Sequence, residues 1–278
     1  MSDIAVYVAV IPIALLAFYI YQKDNDKEPF ALLGKLIMGG VLSCISVLLV
    51  NYFFSSFFPL FSGKAVNMEV SDLIVYSFEC VAIVEEGCKW FFLYIFAYND
   101  KEFDTLFDMI VYSVFVALGF ALFENFFYVL GYGVQTGVLR AFTAIPLHAC
   151  CGVFMGVYLG KAKYYEIIKR HKKSFKNKAL AVALPTCIHG MYDFCAFSNL
   201  YVPLIVLIAV MLTVSVILVN KKNKSDVRIR MKKTQCPKCG LEYRGNSCPR
   251  CDIREFRKKK IHNSNNSNNN RRKKKMLP

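Results

Sequence analysis

Seven apolar runs dominate this chain, at 4–21, 31–59, 73–97, 105–130, 139–159, 180–197 and 200–219. A helix of about 20 residues, rising ~1.5 Å per residue, covers the hydrocarbon core of a bilayer. The runs therefore predict an all-α, polytopic transmembrane bundle of about seven spans. A β-barrel would need strict alternation of apolar and polar residues, which these segments lack. Composition agrees, with 55% hydrophobic and 15% aromatic residues and a mean hydropathy of +0.36. Such values exceed those of ordinary soluble domains. The opening run has no basic n-region and leads into Tyr19-Ile20-Tyr21-Gln22. It reads as a retained first span rather than a cleaved leader.

Charge divides the chain in two. From Lys221 to the end there are 20 Lys+Arg and 4 Asp+Glu, whereas residues 1–220 hold 15 basic and 16 acidic groups. Basic residues favour the cytoplasmic side of a membrane. Lys161, Lys163, Lys169, Arg170, Lys172, Lys173, Lys176 and Lys178 follow the fifth span, Lys23 and Lys27 the first, and Lys101 the third. The opposite loops hold only Lys64 and Arg140. A cell-membrane protein with its N-terminus outside and its C-terminus in the cytoplasm satisfies every loop. The last two spans, separated by Ser198-Asn199, form a tight hairpin, and a six-span count holds if they act as one re-entrant unit.

Within these spans lie groups that hydrocarbon disfavours by roughly 2.5–3.5 kcal/mol each on insertion scales. They form four motifs: Glu85-Glu86-x-x-Lys89, Phe120-x-x-x-Glu124, His148-x-x-x-Gly152 and His189-x-x-x-Asp193. Glu85 and Lys89, four residues apart, share a helix face and can pair. Two adjacent carboxylates repel in a low dielectric, and the lysine balances one of them. Gly152 removes bulk beside the His148 helix. Asp193 can accept a hydrogen bond from one ring nitrogen of His189 and fix its tautomer. The structural alternative for each is a packing ion pair or a satisfied core histidine. Carboxylates and imidazoles that converge at membrane depth instead point to water activation.

In this order, each on its own span, the motifs resemble those of the PrsW family of intramembrane proteases, relatives of the CAAX prenyl endopeptidases and abortive-infection proteins. The similarity covers most of residues 1–220 and includes the acidic stretch Asp24-Asn25-Asp26-Lys27-Glu28-Pro29. The resemblance implies hydrolysis of a peptide bond in a membrane-bound protein substrate. The family's namesake makes the first cut in an anti-sigma factor, and regulatory membrane proteins are the implied substrate class. It also implies catalytic roles for Glu85, Glu86, Glu124, His148 and His189, with Lys89 and Asp193 in support. The residues allow two mechanisms. In one, Glu85 or Glu86 takes a proton from water while the histidines stabilise the oxyanion. In the other, the histidines and Glu124 hold a metal that activates water.

The C-terminal region reads as separate modules: a basic linker over 221–235, a zinc ribbon over 236–251 and a basic, Asn-rich disordered tail over 252–278. Cys236-x-x-Cys239 and Cys248-x-x-Cys251, eight residues apart, have the spacing of a tetrahedral zinc site in a reducing compartment. The remaining cysteines, Cys44, Cys80, Cys88, Cys150, Cys151, Cys187 and Cys195, sit in apolar segments as small hydrophobes. The tail 263–270 contains only Asn and Ser and lacks the apolar content needed to fold. The basic loops suit anionic lipid. Nucleic acid is disfavoured because no aromatic base-stacking pattern accompanies the charge. Two other function classes fit buried acids and histidines: a proton-coupled transporter, and a non-catalytic adaptor acting through its ribbon. Proton-coupled flux would mark the first, and a phenotype needing only the ribbon cysteines the second.

Overall fold

The computed structural model describes residues 3–62, 68–229, 233–244, 248 and 250–251. It comprises two compact units that divide between Ile229 and Arg230.

The first unit is helical. Its elements are α1 (Asp3–Lys23), α2 (Phe30–Ser55), α3 (Val70–Val75), α4 (Ile83–Ala97), α5 (Asp108–Tyr132), α6 (Val134–Phe142), α7 (Ala144–Ile167), α8 (His171–Phe197) and α9 (Tyr201–Lys224). In lipid every backbone polar group must find its partner within the chain, so long apolar runs become helices. Among the described residues, α2, α5, α6 with α7, α8 and α9 are long and apolar enough to cross a membrane. The chain is thus a polytopic membrane protein. The first predicted span contributes a shorter apolar stretch, Val10–Lys23. The third is a continuous helical path in which a π-helical segment, Tyr76–Ala82, joins α3 to α4.

Several boundaries differ from the sequence expectation. The predicted fifth span begins inside α6. The chain breaks at Thr143 (φ −119°, ψ −74°), and the crossing helix α7 runs on to Ile167. The sixth span, expected to start near residue 180, starts at His171. The basic stretch between the two is therefore mostly helix, and only 168–170 turn. Lysine has good helix propensity and can carry its charge to the interface on a long stem, so hydropathy ends a span before the helix does. Lys221, Lys222 and Lys224 likewise lie in the last turn of α9, so the expected linker is helical at its start. Residues beyond it dock on the loop before α5: Ile229 N donates to Asp104 O at 2.7 Å and Leu106 N to Val227 O at 3.0 Å. Asp24 and Glu28 of the acidic stretch are buried in the turn between α1 and α2.

The core centres on α5, which packs against α2 and α7, while α7 also packs against α8. Small residues set these approaches. A Cβ on Gly40 would lie 2.1 Å from Val116 O, and one on Gly119 would lie 2.1 Å from Ile37 O. At the α5–α7 crossing a Cβ on Gly156 would lie 2.6 Å from the Ile110 Cα. Without hydrophobic drive between helices in lipid, backbone approach through glycine supplies the dispersion contacts that hold them.

The second unit contains a two-stranded antiparallel hairpin, β1 (Lys233–Gln235) with β2 (Glu242–Arg244). Gly240, at φ 70°, closes the first knuckle, where its N–H donates to Cys236 O at 2.8 Å. The expected disordered tail, 252–278, lies outside the described residues.

Candidate active site

The four motifs converge inside the first unit. α4 supplies Glu85, Glu86 and Lys89, α5 supplies Glu124, α7 supplies His148, and α8 supplies His189 and Asp193. Glu85, Glu86, Lys89, His148, His189 and Asp193 are all buried. Glycine again brings the helices close. Gly190 faces Phe78 of the π-helical segment, where an added Cβ would stand 2.5 Å from the ring.

Lys89 sits at the centre. Its Nζ lies 2.8 Å from Glu86 Oε1, 3.4 Å from Glu85 Oε2 and 3.1 Å from His148 Nδ1, and 3.8 Å from the centroid of the Phe120 ring. The expected Glu85–Lys89 pair is present, but Glu86, one residue closer, makes the shorter contact. An ammonium carries only donors, so His148 Nδ1 must accept. The His148 proton is then on Nε2, which donates to Glu124 Oε2 at 2.9 Å. His189 Nδ1 donates to Glu86 Oε1 at 2.9 Å. Its Nε2 faces Glu85 Oε2 at 3.8 Å and Asp193 Oδ2 at 3.5 Å, too far for strong hydrogen bonds. Glu86, not Asp193, is the hydrogen-bonded partner of His189. The carboxylate across the helix interface reaches the ring, while the shorter Asp side chain on the same helix stops short.

Each imidazole thus has one nitrogen tied to a carboxylate and the other turned toward Lys89 and Glu85. The rings meet edge to face, with centroids 5.0 Å apart and planes at 86°. Glu85, His148 and His189 each offer one ligand atom, all within 4.8 Å of one another. Two buried carboxylate oxygens, Glu86 Oε2 and Asp193 Oδ2, have no hydrogen-bond partner among the described residues.

One further group belongs here. Arg140 Nη2 lies 2.6 Å from Glu124 Oε2, and its guanidinium stacks 3.7 Å from the Tyr128 ring centroid. The charge pattern along the sequence counts Arg140 as one of the few basic residues of the loops opposite the basic ones. The available signal was an isolated arginine eight residues before His148, in a segment otherwise almost free of charge.

In the second unit Cys236 and Cys251 sulfurs stand 3.6 Å apart, as do those of Cys239 and Cys248, and all four lie within 4.8 Å. Four thiolates at ~2.3 Å from a tetrahedral zinc would be about 3.8 Å apart, so the cluster fits a metal.

Comparison with known proteins identifies the chain's relatives. The family model described as "PrsW family intramembrane metalloprotease" matches residues 28–219. Protease PrsW of Oceanobacillus iheyensis is 33% identical over 204 residues, covering 72% of this chain and 88% of that protein. Protease PrsW of Bacillus subtilis is 34% identical over 189 residues, covering 67% and 80%. That of Clostridioides difficile is 36% identical over 192 residues, covering 67% and 76%. No solved structure matches the chain. The chain is a membrane-embedded peptidase and belongs to the PrsW family of intramembrane metalloproteases.

Proposed function

We propose that this peptidase cleaves a membrane-bound regulatory protein, with Glu85, His148 and His189 holding a divalent metal and Glu86 receiving the proton of the attacking water. The observation that carries the reading is the pair of carboxylate-tied imidazoles, His148 on Glu124 and His189 on Glu86. Histidines that bind metals are commonly oriented in this way by an outer carboxylate. Charge supports it as well. Among the described residues, the four carboxylates Glu85, Glu86, Glu124 and Asp193 face two permanent cations, Lys89 and Arg140. With all four carboxylates ionised and both imidazoles neutral, the cluster would carry an excess of two negative charges, which a dication would neutralise at a depth where uncompensated charge is costly.

A metal there would polarise the scissile carbonyl and ease deprotonation of water. The protein's own groups do the rest. Glu86 accepts the water proton at Oε2, since its Oε1 is occupied by Lys89 and His189. Binding through His148 Nδ1 would require Lys89 to release that nitrogen, and Lys89 would keep its contacts with Glu85 and Glu86. Asp193 Oδ2, 3.5 Å from His189 Nε2, is the second acceptor for a proton on its way to the leaving amine. Zinc is the ion we assign to the ribbon, whose four filled positions make it structural. Two metal ions per chain are the expected content of the purified wild type. Substituting the four ribbon cysteines with serine leaves one, and His148→Ala also leaves one. A single ion in wild type that survives His148→Ala would remove the metal from the active site. Cleavage of an anti-sigma-type single-span protein by the reconstituted chain, lost on chelation and restored by metal, tests the activity itself.

The N-terminus outside and C-terminus inside remain our orientation. The turns at 24–29, 98–107, 168–170 and 225–229 gather at one end, through Tyr98 Oη donating to Glu166 at 2.9 Å and Arg228 contacting Asp26 at 3.2 Å. That end has exposed Lys172, Lys173 and Lys176 around Phe175, itself 75% exposed, a combination suited to anionic lipid at a cytoplasmic surface. A reporter fused within 168–170 is expected to report the cytoplasm, and an external signal would reverse the topology.

A further inference from the structure

Arg140 stands outside the four motifs, yet its position is more constrained than that of a surface charge. α6 is a separate nine-residue helix, set off from α5 by Gly133 at φ 86° and from α7 by the break at Thr143. It lies on α5 through Gly137, where an added Cβ would stand 2.3 Å from Val129 Cγ2. Arg140 is three residues further on, hence on the same helix face. That face directs the guanidinium down to Glu124, and the side chain is only 12% exposed. The contacted oxygen, Glu124 Oε2, is the one that also accepts from His148 Nε2. Stacking on Tyr128 fixes the guanidinium plane from the other side.

We propose that Arg140 is a positioning residue of the active site: by sharing one oxygen of Glu124 with His148, it holds that carboxylate where it accepts the hydrogen bond of Nε2–H. His148 Nδ1 then keeps its lone pair turned toward Lys89 and Glu85. Glu124 has a flexible three-bond stem, and an imidazole alone would leave its rotamer free. A second, planar donor over-determines the carboxylate and hence the tautomer of the ring. Arg140 has this role only if His148 is a working group of the site, so the test includes a control for that reading.

Cleavage of a single-span reporter is measured for wild type, Arg140→Gln, Arg140→Lys, Glu124→Gln and the Arg140→Gln/Glu124→Gln double variant, with thermal midpoints recorded for each. Carboxylates and donors that orient a metal-binding histidine are worth roughly 10–100-fold in activity or metal affinity. Arg140→Gln is therefore expected to lower kcat about tenfold with KM changed by less than about twofold, and Arg140→Lys to recover part of the loss. The double variant should be no slower than Glu124→Gln alone, because the arginine then has nothing to position. The double variant also avoids leaving Glu124 buried without its cation, so its folding does not depend on the pair. Unchanged kcat in Arg140→Gln overturns the proposal. So does a loss that multiplies with that of Glu124→Gln, which would mean direct contact with substrate. A loss matched by an equal fall in folded protein assigns Arg140 to structure alone and overturns it too. Full cleavage by the control, His148→Ala, would instead reject the site itself.

Discussion

Glu85→Gln should reduce cleavage to background and remove one metal ion per chain, whereas Glu86→Gln should keep the metal and lose about 10²–10⁴ in kcat, the usual worth of a general base. The two residues are neighbours in sequence, and the geometry separates their work. Glu85 Oε2 faces His189 Nε2 at 3.8 Å and belongs to the triple of ligand atoms with His148. Glu86 has one oxygen bound by Lys89 and His189 and the other without a hydrogen-bond partner among the described residues. An amide at 86 keeps the shape but cannot accept a proton. It also places an N–H or a weaker acceptor before Lys89, and disturbing one partner of a buried ion pair costs up to roughly 3–5 kcal/mol. Lys89 retains Glu85, so the fold should survive, and protein level and thermal midpoint must be read beside activity. The measurement is steady-state cleavage of a single-span reporter in vesicles, with metal content determined on the same samples. Cleavage surviving Glu85→Gln at wild-type rate would sink the site. Equal metal loss in both variants would sink the division of roles.

A comparable loss is expected at a residue that carries no charge and touches no substrate. Gly119→Leu should unfold or misassemble the bundle, because a Cβ at 119 would already lie 2.1 Å from Ile37 O, and one at Gly40 would lie 2.1 Å from Val116 O. The obstacle is backbone on both sides, so no side chain can swing away. Overpacking typically costs about 1–3 kcal/mol, and a backbone clash lies at or beyond the upper end. Gly119 is five residues before Glu124 on α5, so parting α2 from α5 also moves the carboxylate that orients His148. The expected result is a thermal midpoint lowered by many degrees and cleavage lost with it. Gly34→Ala is the matched control: nothing lies within 4 Å of a Cβ there, and alanine in a helix interior gains about 0.5–1 kcal/mol over glycine. A stable, active Gly119→Leu would show that the α2–α5 crossing is not close-packed in the membrane.

The fold class and the identity of the clustered residues were readable because the bilayer imposes severe rules. A run of apolar residues has one backbone solution in lipid, and an ionisable residue within it must find company. Hence seven helical segments were visible, and Glu85, Glu86, Lys89, Glu124, His148, His189 and Asp193 could be picked out before any was seen to meet another. The same rules say little about helix ends, where lysine stems extend α7 and α8 beyond the hydropathy boundary. They are also silent on the π-helical segment at Tyr76–Ala82, which no side-chain pattern marks. The candidate metal triple illustrates the limit: the sequence reading grouped the histidines with Glu124, and the convergent ligand atom is instead that of Glu85, with Glu124 tied to the outer side of His148.

By itself, then, the sequence determined a polytopic helical bundle, a polar site within it and a four-cysteine module after it, since each follows from the chemistry of residues taken one segment at a time. Tertiary structure alone decided that Glu86 rather than Asp193 orients His189, that Lys89 turns His148 Nδ1 into an acceptor, and that Arg140 enters the cluster. These are contacts between helices. They depend on how closely glycines such as Gly40, Gly119 and Gly156 let backbones approach, and on a displacement of an ångström or two that no spacing along the chain encodes.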